Sequence, residues 1–198
     1  MRAREVFSIV IICTGFLSVI YLLWTEEFRY YVPIKTTQKI DKGVFHKGSF
    51  PELGQKPAYL HYFDNSCKRS RVNIQHIGQI MEAFKDEFDF YVININGAKN
   101  KDFSRKHHLP DYVKIIDDTH QEIVSNHQVA STPFVSILDR EGNLVFRGNY
   151  TNKNGFCGPL DIKSSAPSLA LAFIAKHDLP PIFPNDQLET YGCMINRN

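Results

Sequence analysis

The chain has 198 residues, a formal net charge of +2, 43% hydrophobic and 22% charged residues. That is room for one domain plus extras, an ordinary globular composition, and no basic run of the density a dedicated nucleic-acid binder needs. Its four cysteines, Cys13, Cys67, Cys157 and Cys193, are too few for a disulfide-stapled miniprotein and lack the paired spacing of a zinc site.

The first element in the chain is the apolar run Val6 to Trp24, about 19 residues without a charge, the length of a helix that crosses a hydrocarbon core of roughly 30 Å. Arg2 and Arg4 precede it and Glu26 and Glu27 follow. The positive-inside rule then puts the N-terminus in the cytoplasm and the rest of the chain outside, with Trp24, Tyr30 and Tyr31 suited to an interfacial belt. A cleaved signal peptide competes with this reading, but it has a shorter apolar core and a small-x-small cleavage site. Here the run continues into YLLWTEEF without such a site, which favours the anchor. On either reading the remainder is exported to a compartment where disulfides persist, and Cys13, mid-span, reads as a small lipid-facing residue. Residues 1–27 are thus predicted to be a cytoplasmic N-terminus and single-pass inner-membrane anchor, with lipid contact through residues 6–24. Residues 28–55, carrying Pro33, Gly43, Gly48, Pro51 and Gly54, are read as a tether with one short strand at most.

Regular pattern begins at Ala58. Ala58 to Phe63 is predicted as an aromatic-rich strand, Asp64-Asn65-Ser66 as a turn, and Ser70 to Phe84 as a helix, with Val72, Ile77, Ile80, Met81 and Phe84 at helical spacing. Phe88 to Ile95 reads as a second buried strand, Asp102 to His107 as a short helix, Val113 to Ile116 as a strand, and Thr119 to Asn126 as a short helix that Asp118 or Thr119 caps. Phe134 to Leu138 and Leu144 to Arg147 flank Asp139-Arg140-Glu141-Gly142-Asn143, a hairpin connection. Ala166 to His177 is the last helix, and residues 178–198 form a Pro-rich tail. Strand, helix, strand, helix, then hairpin and helix predicts an α/β mixed sheet flanked by helices. Tyr59, Tyr62, Phe63, Phe88, Phe90 and Tyr91 are assigned to its core.

Three motifs, in order, carry a resemblance: YLHYFDNSCKRS, a strand leading into Cys67 at a helix start; Ala130-Ser131-Thr132-Pro133-Phe134; and the Asp139–Asn143 hairpin followed by Gly148. Over residues 56–177 this resembles the thioredoxin superfamily, and with the anchor ahead of it, the membrane-tethered thiol-disulfide oxidoreductases of bacterial envelopes. The resemblance implies a thioredoxin-like fold, thiols or disulfides of proteins or small molecules as partners, a periplasmic domain and no cofactor. It implies a cis Thr132–Pro133 bond beside Cys67 that offers backbone hydrogen bonds to an extended substrate; a trans proline opening a strand is the alternative. The family's redox-active members carry Cys-x-x-Cys, whereas this chain has Cys67-Lys68-Arg69-Ser70. A variant opening, Cys-Pro-Cys-Ser-Arg-x-Asn, matches Ser70, Arg71 and Asn73, with Arg69 in place of the second cysteine. Both alignments leave Cys67 alone in the motif.

A sulfur at a helix N-terminus sits beside unpaired N–H groups and the positive end of the dipole. Lys68, Arg69 and Arg71 add positive charge, and all of this favours the nucleophilic thiolate. Cys67 is therefore predicted to be exposed and to act as a single thiol, with Ser70, Thr132 and Pro133 around it. Its mixed disulfide would be resolved by a thiol of the substrate, of a small molecule, or elsewhere in the chain. Cys157 is the first internal candidate to resolve it and Cys193 the other; a Cys157–Cys193 bridge pinning the tail is preferred over a Cys67–Cys157 redox pair. Competing functions are a non-catalytic thioredoxin-fold scaffold, a peroxide reductase, and copper handling. The peroxidatic pattern Pro-x-x-x-Thr/Ser-x-x-Cys finds no proline in Leu60 to Cys67, and Phe63 where the hydroxyl belongs. Copper would need paired cysteines where only Cys67, with His61 or His76, is present, so no metal is expected. Phosphate loops and a Gly-x-Ser-x-Gly elbow do not occur.

Overall fold

The computed structural model describes residues 3–26, 54–95, 103–150, 164–176, 180–184 and 192–195. The predicted tether, apart from residues 54 and 55, and the loop that carries Cys157 lie outside them. Helix α1, Ala3–Glu26, is long and apolar enough to cross a membrane over Glu5–Thr25. Its large apolar side chains from Val6 to Trp24 are exposed. Its hydroxyls bond inward along the helix: Thr14 Oγ1 donates to the Val10 carbonyl at 2.9 Å, Ser18 Oγ to Thr14 at 2.8 Å and Thr25 Oγ1 to Tyr21 at 3.0 Å. That satisfies the polar atoms without solvent, as a hydrocarbon environment demands.

The second unit is built on a five-stranded mixed sheet. Its strands are β1 (Ala58–Asp64), β2 (Asp89–Ile95), β3 (Lys114–Asp118), β5 (Phe134–Leu138) and β6 (Leu144–Gly148), in spatial order β3-β2-β1-β5-β6. β1 pairs parallel with β2 and β2 with β3, while β5 runs antiparallel to both β1 and β6. The helices between are α2 (Lys68–Ala83), α3 (Phe103–Lys106), α4 (Glu122–Asn126) and α5 (Ala166–Ala175). A separate two-residue ladder joins β4 (Ser131–Thr132) to β7 (Cys193–Met194). The expected mixed sheet flanked by helices is present, and every predicted strand and helix of the domain has its counterpart within a few residues.

Strand alternation splits the core between the two faces of the sheet. Tyr59 and Phe63 of β1 pack with Ile74, Ile77, Ile80 and Met81 of α2 and with Ala170 and Leu171 of α5. Leu60 and Tyr62 pack on the other face with Ile123 and Val124 of α4, and with Ile195 from the tail. Val72 was expected inside, yet it is 52% exposed, and Ile74 takes the core place. Val72 precedes Ile77 by five residues, which puts it about 140° round the helix from the buried stripe. The short helix α4 begins at Glu122, later than Thr119. Asp118 caps it from β3, its carboxylate accepting from the Ile123 and Val124 N–H groups at 3.1 and 2.9 Å. The β5–β6 hairpin closes as read: Asp139 Oδ1 accepts from Glu141 and Asn143 N–H at 3.0 and 2.7 Å, and Gly142 takes φ 83°, which a side chain rarely adopts.

The tail departs most from expectation. It was assigned no element, but its end returns to the domain as β7. A two-residue strand has too little pattern to announce itself, because period-2 alternation needs several residues to show.

The placement of α2 predicts a contrast between two neighbouring positions. Ile77→Ala is expected to cost about 2–5 kcal/mol of unfolding free energy, and Val72→Ala to stay within about 0.5 kcal/mol, measured by urea unfolding of the detergent-solubilised chain.

Candidate functional site

The turn after β1 is locked by side chains. Asp64 Oδ1 accepts from the Ser66 N–H at 2.8 Å and from its hydroxyl at 2.7 Å. The Cys67 N–H reaches the Asp64 carbonyl at 3.1 Å. The Arg71 guanidinium donates back to the carbonyls of Asn65 and Ser66 at 2.7 and 3.3 Å. Arg71, expected to tune a thiolate, is thus also the stitch that fixes this turn. Cys67 is left in extended backbone as the N-cap of α2; its carbonyl receives the Arg71 N–H at 3.1 Å. Its side chain makes no capping bond, so the sulfur is available for other contacts.

That sulfur is bonded to Cys193, with a Cα–Cα distance of 5.8 Å across 126 residues of sequence. It also lies 3.5 Å from the carbonyl oxygen of Thr132. The Thr132–Pro133 peptide is cis, and Thr132 pairs in the β4–β7 ladder directly with Cys193. The site therefore brings together the start of α2, the Thr132–Pro133 loop and the chain's own tail.

Three sequence expectations are corrected here. The preferred Cys157–Cys193 bridge is absent, because Cys193 is held by Cys67; Cys157 lies outside the described residues. Cys67 is not exposed: it is 1% accessible, while Cys193 is half-buried and Met194 exposed. Nor is Cys67 a lone sulfur. The partner is supplied by strand pairing between segments about 60 residues apart, which no cysteine spacing reveals. Of the remaining site residues, Thr132 and Pro133 are brought to Cys67. Ser70 sits one turn into α2, fully buried, with its hydroxyl unpartnered among the described residues. Lys68 is exposed and Arg69 half-buried at the helix start. A Cys67–His61 metal pair is not available, since the sulfur is in the bridge and His61 Nδ1 shares a 2.9 Å hydrogen bond with the Tyr150 hydroxyl.

Two features were missed. The first is Gly192. A Cβ there would lie 2.1 Å from the Thr132 carbonyl oxygen and 2.8 Å from its carbon, so the tail approaches the loop this closely only through glycine. The Gly192-Cys193 dipeptide is the one signal that could have flagged it. The second is a buried polar group on β1. Tyr59 and Tyr150 share a hydroxyl–hydroxyl bond, and His61 joins through Tyr150, with its Nε2 unpartnered among the described residues. Burial pushes the His61 imidazole down to about 3 and raises the Tyr59 and Tyr150 phenols. On the opposite face the Tyr62 hydroxyl bonds His127 Nδ1; burial, and then the Arg147 charge, push that imidazole down to about 4.

A protein-family model described as "Domain of unknown function (DUF6436)" matches residues 42–172. No curated protein matches the sequence. Among solved structures, an uncharacterised conserved protein from Geobacillus kaustophilus superposes with TM-score 0.61 at 20% identity, over 71% of this chain and 77% of that one. A hypothetical protein from Sinorhizobium meliloti gives TM-score 0.57 at 16% identity, over 71% and 79%. A secreted Mycobacterium tuberculosis disulfide oxidoreductase homologous to E. coli DsbE gives 0.45 at 18% identity, over 60% and 81%. The mixed sheet flanked by helices, with a cis Thr132–Pro133 bond ahead of β5, is a thioredoxin-like fold.

Both histidines are depressed from 6.5, so each is neutral when folded and protonates more readily when unfolded. Their contribution is complete above about pH 6.5 and is lost as pH falls toward 3–4, at about 1.4 kcal/mol per pH unit for each. His61→Leu is expected to flatten the acid side of the stability–pH curve by that slope; an unchanged slope in urea unfolding between pH 4 and 6.5 rules the assignment out.

Proposed function

The chain belongs to the family described as a domain of unknown function, DUF6436, and from that premise we propose that its thioredoxin-like domain performs thiol–disulfide exchange through the Cys67–Cys193 couple. The observation that carries the proposal is the bridge itself. It is formed at a helix N-terminus, against the Thr132 carbonyl, by two cysteines from distant parts of the chain.

Helix N-terminal N–H groups stabilise a departing Cys67 thiolate, and a better leaving group speeds exchange. An external thiolate enters at the half-buried Cys193, forms a mixed disulfide with it and releases Cys67 as thiolate. A second external thiol then attacks that mixed disulfide and frees Cys193. In sum the chain gains two electrons and two protons, and the external dithiol becomes a disulfide. In the opposite direction the Cys67 thiolate attacks a partner disulfide and expels one partner thiolate. Cys193 then attacks Cys67 Sγ, the second partner thiolate leaves, and the bridge is restored. Ser70 contributes no sulfur, so the resolving thiol comes from the tail rather than from the motif.

Tethering completes the reading. The exposed apolar surface of α1 suits a bilayer, and Arg2 and Arg4 ahead of it with Glu26 and Glu27 behind suit a cytoplasmic N-terminus. The domain then lies on the extracytoplasmic, periplasmic side of an inner membrane, where a bridge persists. The domain limits that go with this are an anchor over 1–27, a tether over 28–55 and the redox domain over 56–177, with the tail from 178 supplying Cys193.

The burial of Cys67 supports a second reading, in which the bridge is a permanent clip and the domain a tethered scaffold. Native-state reduction separates the two. With reduced glutathione and no denaturant, the exchange reading expects the bridge to open reversibly and both Cys67 and Cys193 to become alkylated in peptide mass maps. A bridge that opens only on unfolding leaves the scaffold.

Two further outcomes are expected. Cys193→Ser should raise the rate of Cys67 alkylation at neutral pH at least about tenfold over the oxidised wild type, because only the thiolate reacts. In intact spheroplasts, a membrane-impermeant maleimide should label that Cys67, and labelling only after lysis would place the domain on the other side.

A further inference from the structure

We propose that the Ser131–Thr132 edge is a peptide seat now filled by the chain's own tail, and that it accepts a partner segment in which glycine immediately precedes the reacting cysteine. The inference rests on the exchange reading above and names the partner of that site.

The tail sits as an added strand. Thr132 pairs with Cys193 and Ser131 with Met194 in antiparallel register, and the Ile195 N–H donates to the Ala130 carbonyl at 2.9 Å. Main-chain bonds of this kind hold any sequence, and selection falls to the side chains. The three positions around Cys193 differ sharply. Gly192 faces the Thr132 carbonyl, where a Cβ would lie 2.1 Å from backbone oxygen. That oxygen belongs to the Thr132–Pro133 peptide and cannot swing aside as a side-chain tip would. Met194 is 58% exposed and so unselected, whereas Ile195 is 8% exposed and packs with Tyr62 and Phe134. A strand entering in the same register, with its cysteine opposite Thr132 and beside Cys67, meets the same limits. The preferred partner is an extended Gly-Cys-x-aliphatic segment.

The tail and the partner exclude one another from this edge. With the bridge reduced, the partner's segment docks and the Cys67 thiolate attacks the sulfur of its disulfide, forming one mixed disulfide and releasing one thiolate. When the tail re-docks, Cys193 attacks Cys67, the bridge reforms, and the segment leaves as a thiol. The same strand that completes the chemistry thereby displaces the product.

The test uses the full chain in detergent with the seat cleared by Gly192→Val and Cys193→Ser together. The probes are synthetic peptides copying Tyr191-Gly192-Cys193-Met194-Ile195 with the cysteine as its glutathione mixed disulfide, the same peptide with valine for glycine, and glutathione disulfide alone. Mass mapping assigns adducts to Cys67. The glycine peptide is expected to trap on Cys67 about tenfold or more faster than the valine peptide, which corresponds to about 1.4 kcal/mol of discrimination. In the reduced wild-type chain the same preference is expected at a lower rate, since the tail competes, so the test survives if the double variant does not fold. Equal trapping of both peptides overturns the seat while leaving exchange at Cys67 intact. No adduct with any of the three disulfides overturns the seat and the exchange reading together.

Discussion

The described part of the domain turns on the contact of three separate segments at one point: the N-cap of α2, the Thr132–Pro133 loop and the tail strand β7. Each is positioned by different physics. Cys67 is placed by the Asp64 turn and the Arg71 stitch. The Thr132 carbonyl is placed because β5 must begin at Phe134 to pair with β1. Cys193 is placed by ladder bonds and by a glycine that permits backbone-to-backbone approach. The disulfide records that all three are satisfied at once.

The strengths of these supports are unequal, and the inequality matters for function. Cys67 and Thr132 belong to the body of the fold, backed by a two-faced core in which Tyr59, Tyr62, Phe63 and Phe134 are fully or almost fully buried. Their positions change only if the core changes, and close-packed interiors resist that. β7 has two ladder residues, followed by one buried aliphatic side chain, Ile195, among the described residues. Elements with so few buried contacts open at the low end of a protein's range of local stabilities. The segment around β7 is therefore the part that can leave while the rest of the site keeps its shape, with Phe183, packed on Phe146, keeping the start of the tail on the core.

Much of this was legible in the sequence, and the reason lies in the length of the patterns. The β1, β2 and β5 runs, the α2 periodicity and the Asp139–Asn143 hairpin each extend over several residues, so their periods and turn chemistry speak for themselves. The position of Cys67 at a helix start followed from the polar turn before it. What escaped was non-local or very short: the two-residue β7, the Cys67–Cys193 pairing and the hydroxyl and imidazole bonds that join Tyr59, His61 and Tyr150 across some 90 residues. Exposure of Cys67 was misjudged for a related reason. Its neighbours in sequence are polar and charged, but what buries it arrives from the far end of the chain. Val72 was misjudged because an apolar residue near a helical stripe was counted as part of it, when the angle shows otherwise.

The chain has serine at position 70 of the motif, and the sulfur that pairs with Cys67 lies in the tail. A Cys-x-x-Cys pair keeps both sulfurs on one helix, so its oxidation closes a tiny loop and leaves the surface nearly unchanged. Here the bridge spans 126 residues, and in the chain-entropy model closing a loop of that length constrains the unfolded state by about 5 kcal/mol. That is of the order of a small domain's entire stability. Forming the bridge gives up two electrons and two protons, adds that constraint and holds β7 over the Ser131–Thr132 edge in a single covalent event. Reduction reverses all three. With the second sulfur at position 193 rather than 70, closing the bridge fixes β7 on the Ser131–Thr132 edge, and that linkage is a property of where the sulfur sits in the chain.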